Sequence, residues 1–355
     1  MNKIKPIAFY LPQFYPTKEN DIWWEPGFTE WTNVVRSKPL FKGHRQPRLP
    51  QELGFYDLRV PETRQRQVQL AKEAGIYGFC YWHYWFGGGV RLLDRVFNEV
   101  VSSGTPDFPF CLCWANHSWY AKTWDPNGED KLLIEQKYLG EDDYIAHFNE
   151  MLPAFKDSRY IRINGRLLFG VFAPYDLPDY DRFKYIWNQL AKLHGLEEFE
   201  FFAFVQGEQK LAKLPKYTYD SVVYDALADA VPRTNLIVSK FRDVLHMPLH
   251  KIKYENYMNI AMEKFRKYSS FIPCIDPDFD HSPRSANRGV IISNSNPSLW
   301  GEFCAMVRNM LEERVTPGDS VVFIKAWNEW GEGNYLEPDS DYGKAYIEEM
   351  SKIFC

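Results

Sequence analysis

A (β/α)8 barrel with long loops after its first and seventh strands is the fold this 355-residue sequence predicts, and three observations carry that expectation. Short β-branched or aromatic apolar runs, eight in all, alternate with helical patterns along the chain. Most runs are apolar at nearly every position, as parallel strands are when crossover helices bury both of their faces. Polar residues then gather where individual runs stop, which is where barrel strands converge on one mouth. An open doubly wound sheet shares the alternation and is the alternative at this level.

The first run, Ile7 to Phe14, is followed by a long insertion, Tyr15 to Pro61. Trp23, Trp24, Phe28, Trp31 and Phe41 lie in that insertion and argue for a folded lid or wall rather than disorder. Thr63 to Ala74 reads as a helix leading into the second run, Tyr77 to Trp85, and Leu92 to Ser102 as the helix after it. The third run, Pro109 to Asn116, precedes a helix over Asp142 to Phe155; the fourth, Leu167 to Pro174, precedes one over Asp181 to His194. Between the fifth run, Glu200 to Val205, and the sixth, Asp220 to Ala226, the segment Gln206 to Pro215 has room for one short helix. A helix over Tyr254 to Tyr268 leads to the seventh run, Phe271 to Asp276, and the second long insertion, Pro277 to Ser295. Pro297 to Glu313 reads as helix, Ser320 to Trp330 as the eighth run, and Tyr342 to Ile353 as a closing helix. No repeat, linker or low-complexity tract divides the chain, so residues 1–355 are expected to form a single catalytic barrel.

Composition narrows the function. With 45% hydrophobic and 25% charged residues the chain is globular rather than disordered. Lys plus Arg total 42 against 47 Asp plus Glu, a net charge of -5, so no general positive field attracts nucleic acid or an anionic bilayer. No run approaches the roughly 18–20 apolar residues of a membrane span. Ile7 to Leu11 is too short for a signal-peptide core, and a cytoplasmic protein is expected. Four of the six cysteines fall in strand-like runs and read as buried structural thiols; none has the Cys/His spacing of a zinc site, and no metal or cofactor is expected. The aromatic content, 17%, exceeds what packing alone requires, so some rings are expected to line a site.

The run ends supply candidates. The first ends in Gln13, the second in Tyr81-Trp82-His83-Tyr84-Trp85, the third in Trp114-Ala115-Asn116-His117, the seventh in Asp276, and the eighth in Asn328-Glu329-Trp330-Gly331-Glu332. Rings mixed with amides and carboxylates suit a sugar, whose C–H faces stack and whose hydroxyls need polar partners. Gln13, Glu30, Trp31, Tyr81, His83, Tyr84, Trp85, Trp114, Asn116, His117, Asp280, Trp327, Asn328 and Trp330 are the candidate substrate-binding residues. For His83, a structural hydrogen-bonded imidazole is the competing reading. Glu329 and Glu332 are the candidate catalytic pair, because glycosidic hydrolysis commonly needs one carboxyl as proton donor and another as base or nucleophile. On spacing alone, either one could instead cap a helix or pair with a nearby cation. Glu337 is a third carboxyl, expected to be structural.

Several strings together resemble the WbsX-type family of bacterial polysaccharide-cluster proteins, which is related to glycoside hydrolase family 99, the endo-α-mannosidases and endomannanases. They are Ala8-Phe9-Tyr10-Leu11-Pro12-Gln13-Phe14, Gly27-Phe28-Thr29-Glu30-Trp31-Thr32-Asn33-Val34, Gly78 to Phe86, Pro109 to Asn116, and Trp327 to Asp339, in order across nearly the whole chain. The resemblance implies a (β/α)8 barrel acting on an oligosaccharide or polysaccharide. It implies that Glu329 deprotonates the sugar's 2-hydroxyl, which displaces the leaving group through a 1,2-anhydro intermediate, and that Glu332 is the acid/base. One departure concerns His117, where many relatives carry Glu, so a subsite contact there is expected to differ.

Two rival classes use other features. WbsX-type proteins are often labelled glycosyltransferases of O-antigen or capsular polysaccharide synthesis. The strings Asp276-Pro277-Asp278, Asp278-Phe279-Asp280 and Asp339-Ser340-Asp341 would be the metal-binding candidates for such a nucleotide-sugar enzyme. An EF-hand-type loop starting at Asp276 is excluded, since His281 and Asn287 stand where Gly and Glu are required. Gly87-Gly88-Gly89 lacks the Lys and Ser or Thr of a phosphate loop and reads as a turn. A non-catalytic glycan-binding module would use the same aromatics without needing two carboxylates at one strand end.

Overall fold

The computed structural model describes residues 4–121, 130–214, 219–232, 242–314 and 318–355. Its strands β1 (Ile4–Tyr10), β2 (Gly78–His83), β3 (Phe110–Trp114), β4 (Arg166–Val171), β5 (Phe199–Gln206), β6 (Ser221–Asp225), β7 (Ile272–Ile275) and β8 (Ser320–Ile324) pair in parallel, each with the next. The ring closes where β8 returns to β1, from Ile4 opposite Ser320 to Ala8 opposite Ile324. This closure excludes the open sheet, and each barrel strand lies within one of the eight predicted runs or overlaps it. The predicted runs overshoot at Phe14, Trp85 and Trp330 because the rim residues stay apolar after the ladder hydrogen bonds have ended.

Twelve helices are described: α1 (Lys18–Trp23), α2 (Glu30–Arg36), α3 (Pro61–Glu73), α4 (Arg95–Ser103), α5 (Glu141–Phe155), α6 (Tyr180–Leu193), α7 (Gly207–Leu211), α8 (Leu227–Ala230), α9 (Tyr254–Lys267), α10 (Ser282–Ser285), α11 (Pro297–Glu313) and α12 (Ala345–Phe354). α11 begins where sequence dictates: the Asn296 side chain accepts from the Leu299 amide at 3.1 Å, and Pro297 needs no donor at the first helical position. α4 stops at Gly104, whose φ of 71° favours a residue without a Cβ. No described helix is long and apolar enough to cross a membrane.

The strands have two faces, both apolar. Phe9, Trp82, Phe204 and Phe323 fill the barrel interior, with Phe9 stacked on Trp82 at 4.5 Å between centroids. A Cβ on Gly170 of β4 would collide with the Phe202 ring and Cys113, so only glycine fits beside them. The opposite faces of β3, β4 and β5 meet α5 and α6 in a continuous aromatic layer that includes Trp114, Phe169, Phe183, Trp187 and Phe199. Much of the aromatic surplus is therefore outer-layer packing. All six cysteines are free, and five are buried.

The first insertion carries α1 and α2 and packs as a wall against the second. Arg48 Nη1 donates to Asp278 Oδ2 at 2.8 Å, and Asp280 Oδ2 receives His44 Nε2 at 2.8 Å and Gln46 Nε2 at 2.7 Å. Two further long loops were not singled out from sequence. One, after β3, folds a hairpin from Trp119–Ala121 and Lys131–Ile134; the other, after β6, ends in a strand, His250–Lys253, that pairs in parallel with Val290–Ser293.

Candidate active site

The chain leaving β8 is fastened to the end of β1 before it reaches the mouth. Asn328 does this: its Oδ1 accepts from the Leu11 amide at 2.7 Å and its Nδ2 donates to the Leu11 carbonyl at 3.0 Å. The next residue, Glu329, turns inward with 6% exposure, and its Oε1 accepts from Trp82 Nε1 at 2.9 Å. A short turn, Trp330–Glu332, then brings the second carboxylate to the same place. Gly331 within it is required by its neighbours, since a Cβ there would overlap the Glu30 carboxylate and lie 2.9 Å from Arg284 Nε.

Arg284, on α10 in the second insertion, gathers three carboxylates. Its Nη1 lies 2.7 Å from Glu332 Oε1, and its Nη2 lies 3.0 Å from Glu30 Oε2 and 3.5 Å from Glu329 Oε2. Lys325, one residue past β8, places Nζ 3.8 Å from Glu332 Oε2 and 3.9 Å from Asp225 Oδ2. His281 Nε2 is 3.9 Å from Glu332 Oε1. Beneath them Asp276 is fully buried and accepts from Tyr257 and from Asn334 Nδ2.

This arrangement separates the two glutamates electrostatically. Burial raises both carboxyls. For Glu329 it prevails, helped by the Glu332 charge, over the opposing pull of Arg284 and Lys325, so this carboxyl keeps its proton above the usual range. For Glu332 the cations Lys325 and Arg284, with His281, outweigh burial and hold the carboxylate ionised below the usual range. The pair therefore titrates in two steps, one displaced below the ordinary carboxylate range and one above it, and the surroundings favour Glu329 as the partner that keeps the proton. Tyr84 faces the same cluster, and burial together with the Glu329 charge pushes its hydroxyl pKa up.

Of the sequence candidates, Glu329, Glu332, Glu30 and Tyr84 converge here, while Gln13 lies half-buried just past β1 and His117 sits at the rim against Phe172. Others are placed elsewhere. Tyr81, His83, Trp85 and Trp114 face the outer layer: Tyr81 packs on Phe97 of α4, His83 Nε2 is 2.7 Å from His147 Nε2 of α5, Trp85 stacks on His147, and Trp114 packs on Phe183 of α6. The reason is pleat parity, which sends Trp82 and Tyr84 inward and their neighbours outward. Asn116 and Asn328 are rim fasteners, Asn116 joining the ends of β3 and β4 through both Ala173 backbone groups. Asp280 is bound to the first insertion through His44 and Gln46. Trp31, Trp327 and Trp330 form the wall behind the site; the Trp31 indole donates to the Tyr56 carbonyl, Trp330 donates to Glu337, and Trp327 packs on Phe79. Sequence reasoning passed over Trp82, Arg284 and Lys325. Trp82 had the aromatic string as a signal, whereas a lone Arg or Lys has none until its partners are assembled.

Comparison with known proteins agrees with this architecture. The model of the family described as Glycosyltransferase WbsX matches residues 6–350. The chain belongs to the WbsX family. Within reach of this WbsX chain, the uncharacterized protein WxcX from two strains of Xanthomonas campestris pv. campestris is 36% identical over 349 residues, covering 96% of the chain and 48% of WxcX. The chain therefore spans about half the length of the curated relatives it matches. Among solved structures, a glycoside hydrolase-like protein superposes with a TM-score of 0.60 at 15% identity, covering 100% of this chain and 94% of that one. The GH99 endo-α-mannosidase from Bacteroides thetaiotaomicron, in complex with bis-tris-propane, gives 0.58 at 14% identity, covering 99% and 96%. At these identities the likeness is one of fold, a shared (β/α)8 barrel.

Proposed function

We propose that this WbsX-family chain is a carbohydrate-active enzyme that cleaves glycosidic bonds of a bacterial surface polysaccharide or its precursor, in the manner of an endo-acting α-mannosidase. The observation that carries this reading is the carboxyl pair Glu329 and Glu332, one desolvated beside an indole and the other held by two cations, at the C-terminal mouth of the barrel. In the sequence of steps the family resemblance implies, Glu329 takes the 2-hydroxyl proton as O2 attacks C1. The C1–leaving-group bond breaks, and the departing oxygen receives the Glu332 proton. Water then opens the 1,2-anhydro ring with both transfers reversed. The surrounding charges favour the proton on Glu329 instead. Substrate must therefore redistribute it: a leaving oxygen that displaces Arg284 from Glu332 raises that carboxyl, and a 2-hydroxyl donating to Glu329 favours its anion.

The direct test is turnover of α-mannan oligosaccharides and of acidic and neutral bacterial polysaccharides, with products identified by mass and reducing ends. Incorporation of ¹⁸O from labelled water marks hydrolysis. The second reading, glycosyl transfer, is favoured by the family's description, and it would require an activated donor. EDTA is expected to leave turnover unchanged, because the Asp-x-Asp carboxylates are engaged by the protein itself: Asp278 by Arg48, Asp280 by His44 and Gln46, Asp339 by Arg45 and Tyr335. Strict Mn²⁺ dependence with competition by a nucleoside diphosphate would replace hydrolysis with transfer.

A pH profile follows from the shared proton. The singly protonated pair is the active form, so kcat/KM is expected to be bell-shaped, with its acid limb set by Glu332 below the ordinary carboxylate range and its alkaline limb set by Glu329 above it. Arg284→Met removes the nearest cation and should move the acid limb up toward about 4.3, the unperturbed Glu value. An acid limb that stays in place would show that Arg284 does not set it.

A further inference from the structure

The mouth has a second side, on which a lysine and a histidine lie against an aromatic ring, with Asp225 and Asp176 farther off. Lys210 on α7 and His117 past β3 both lie against Phe172, the half-buried ring that follows β4. The His117 and Phe172 ring centroids are 5.1 Å apart, and Lys210 Nζ is 5.9 Å from the Phe172 centroid and 6.0 Å from that of Tyr175. Phe172 in turn meets Trp82 edge-on at 5.4 Å, and Trp82 is the residue that donates to Glu329. These rings form a continuous aromatic floor from His117 and Lys210 to the carboxyl pair.

Lys210 differs from the other cations of the mouth. Arg284 and Lys325 each lie within 4 Å of carboxylates, whereas the hydrogen-bond partner of Lys210 is the neutral Gln206 Oε1 at 2.9 Å, and no described carboxylate is within ion-pair distance of it. His117 Nδ1 is buried without a partner. Burial and the nearby Lys210 charge hold the His117 pKa down to about 4, so its ring is neutral at pH 7 and can donate from one nitrogen. An unpaired ammonium beside a ring and an unpaired imidazole nitrogen are costly to keep under-solvated, and an anionic oxygen relieves both through charge-assisted hydrogen bonds. Asp225 and Asp176 act on Lys210 only from beyond ion-pair distance, and a neutral hydroxyl would add no charge-assisted contact.

We propose that Lys210 and His117 form a subsite for an anionic substituent, carboxylate or phosphate, on the sugar that rests over Phe172, so that the substrate is an acidic glycan. The inference rests on the reading of the mouth as a glycosidic site, and it adds the substrate class. The carboxylate side repels such a group and the basic side attracts it, which fixes the direction in which an acidic chain lies across the barrel.

The test is binding to the full chain by calorimetry at low salt, using the methyl glycosides of glucuronic acid and of glucose 6-phosphate against methyl glucoside. At least one anionic sugar is expected to bind about tenfold more tightly than the neutral one, as a charge-assisted contact should provide, and whichever of the two is tighter names the substituent. Lys210→Met should abolish the preference while leaving methyl glucoside affinity unchanged, and Lys210→Arg should retain it. The preference should shrink as salt is raised. Equal affinities in the unaltered protein, a preference that survives Lys210→Met, or no binding by any of the three overturns the inference. The glycosidic reading is judged separately, by the glutamate variants, so the two can fail independently.

Discussion

Glu332→Gln is expected to slow cleavage of natural glycans by roughly 10²- to 10⁴-fold, the usual worth of general acid catalysis, while leaving the protein folded. An aryl glycoside with a good leaving group needs little protonation and should be affected much less by the same change. Glu329→Gln removes the group that takes the 2-hydroxyl proton, so both substrates should fail. The contrast between leaving groups is the informative measurement, since loss of activity alone would follow from any disturbance of the site. The reverse pattern, with Glu329→Gln rescued by the aryl leaving group, would assign proton donation to Glu329, the carboxyl that burial and the Glu332 charge raise. Normal turnover by both folded variants would refute the paired-carboxyl mechanism altogether.

The largest stability effect is expected at Glu337, which does not face substrate. This carboxyl group is 2% exposed and accepts from Tyr56 at 2.8 Å, Gln67 Nε2 at 2.6 Å and Trp330 Nε1 at 2.6 Å, so it joins the first insertion, α3 and the turn Trp330–Glu332. Glu337→Ala would strand three buried donors, at about 1–3 kcal/mol each and not fully additively, for a total of roughly 3–5 kcal/mol. At this chain length that corresponds to a fall in Tm of about 4–7 °C. The sign of the pH dependence is also fixed. Burial raises Glu337 to about 7 in the folded chain, against about 4.3 when unfolded, so the folded state binds the extra proton between those values. The stabilisation is complete below the lower value and lost as pH rises through the upper one. Between pH 4.5 and 7.5, Glu337→Gln should flatten that decline in Tm, and an unaltered slope would show that the carboxyl is not protonated in the folded protein.

The barrel was legible because burial on both faces leaves a continuous apolar run, and runs of that kind are separated here by helices with clear limits, as at Asn296-Pro297. The same feature hid part of the site. In Tyr81-Trp82-His83-Tyr84-Trp85 both faces of the strand end are aromatic, so alternation carries no signal for which residues look into the barrel. The sequence reading selected Tyr81 and His83, which face helices, and passed over Trp82, which touches Glu329. The amides are ambiguous for a related reason: Asn116 and Asn328 stand where ligand-binding groups would, and their side chains bond the backbone beyond neighbouring strands. Glu329 and Glu332 stand out in the sequence because two carboxyls in an apolar strand end require an explanation of their own, and the structure brings them to one cluster around Arg284. Arg284 became visible only when the second insertion folded over the mouth.

The contacts of Arg284 span 254 residues to Glu30 and 48 to Glu332, and Glu332 reaches its place only after β8 has docked on β1. On a ribosome adding about 5–20 residues per second, seven strands emerge before the one that completes the ring. Until then β1 keeps an open edge able to pair with another chain, a hazard that chaperones exist to limit. Glu30 and Arg284 precede β8 and can already pair, but Glu329 and Glu332 follow it, so on the proposed mechanism the nascent chain lacks both reacting carboxyls throughout that interval. The onset of turnover would therefore time the closing of the barrel, and a fragment ending before β8 should be inert even with its other seven strands paired.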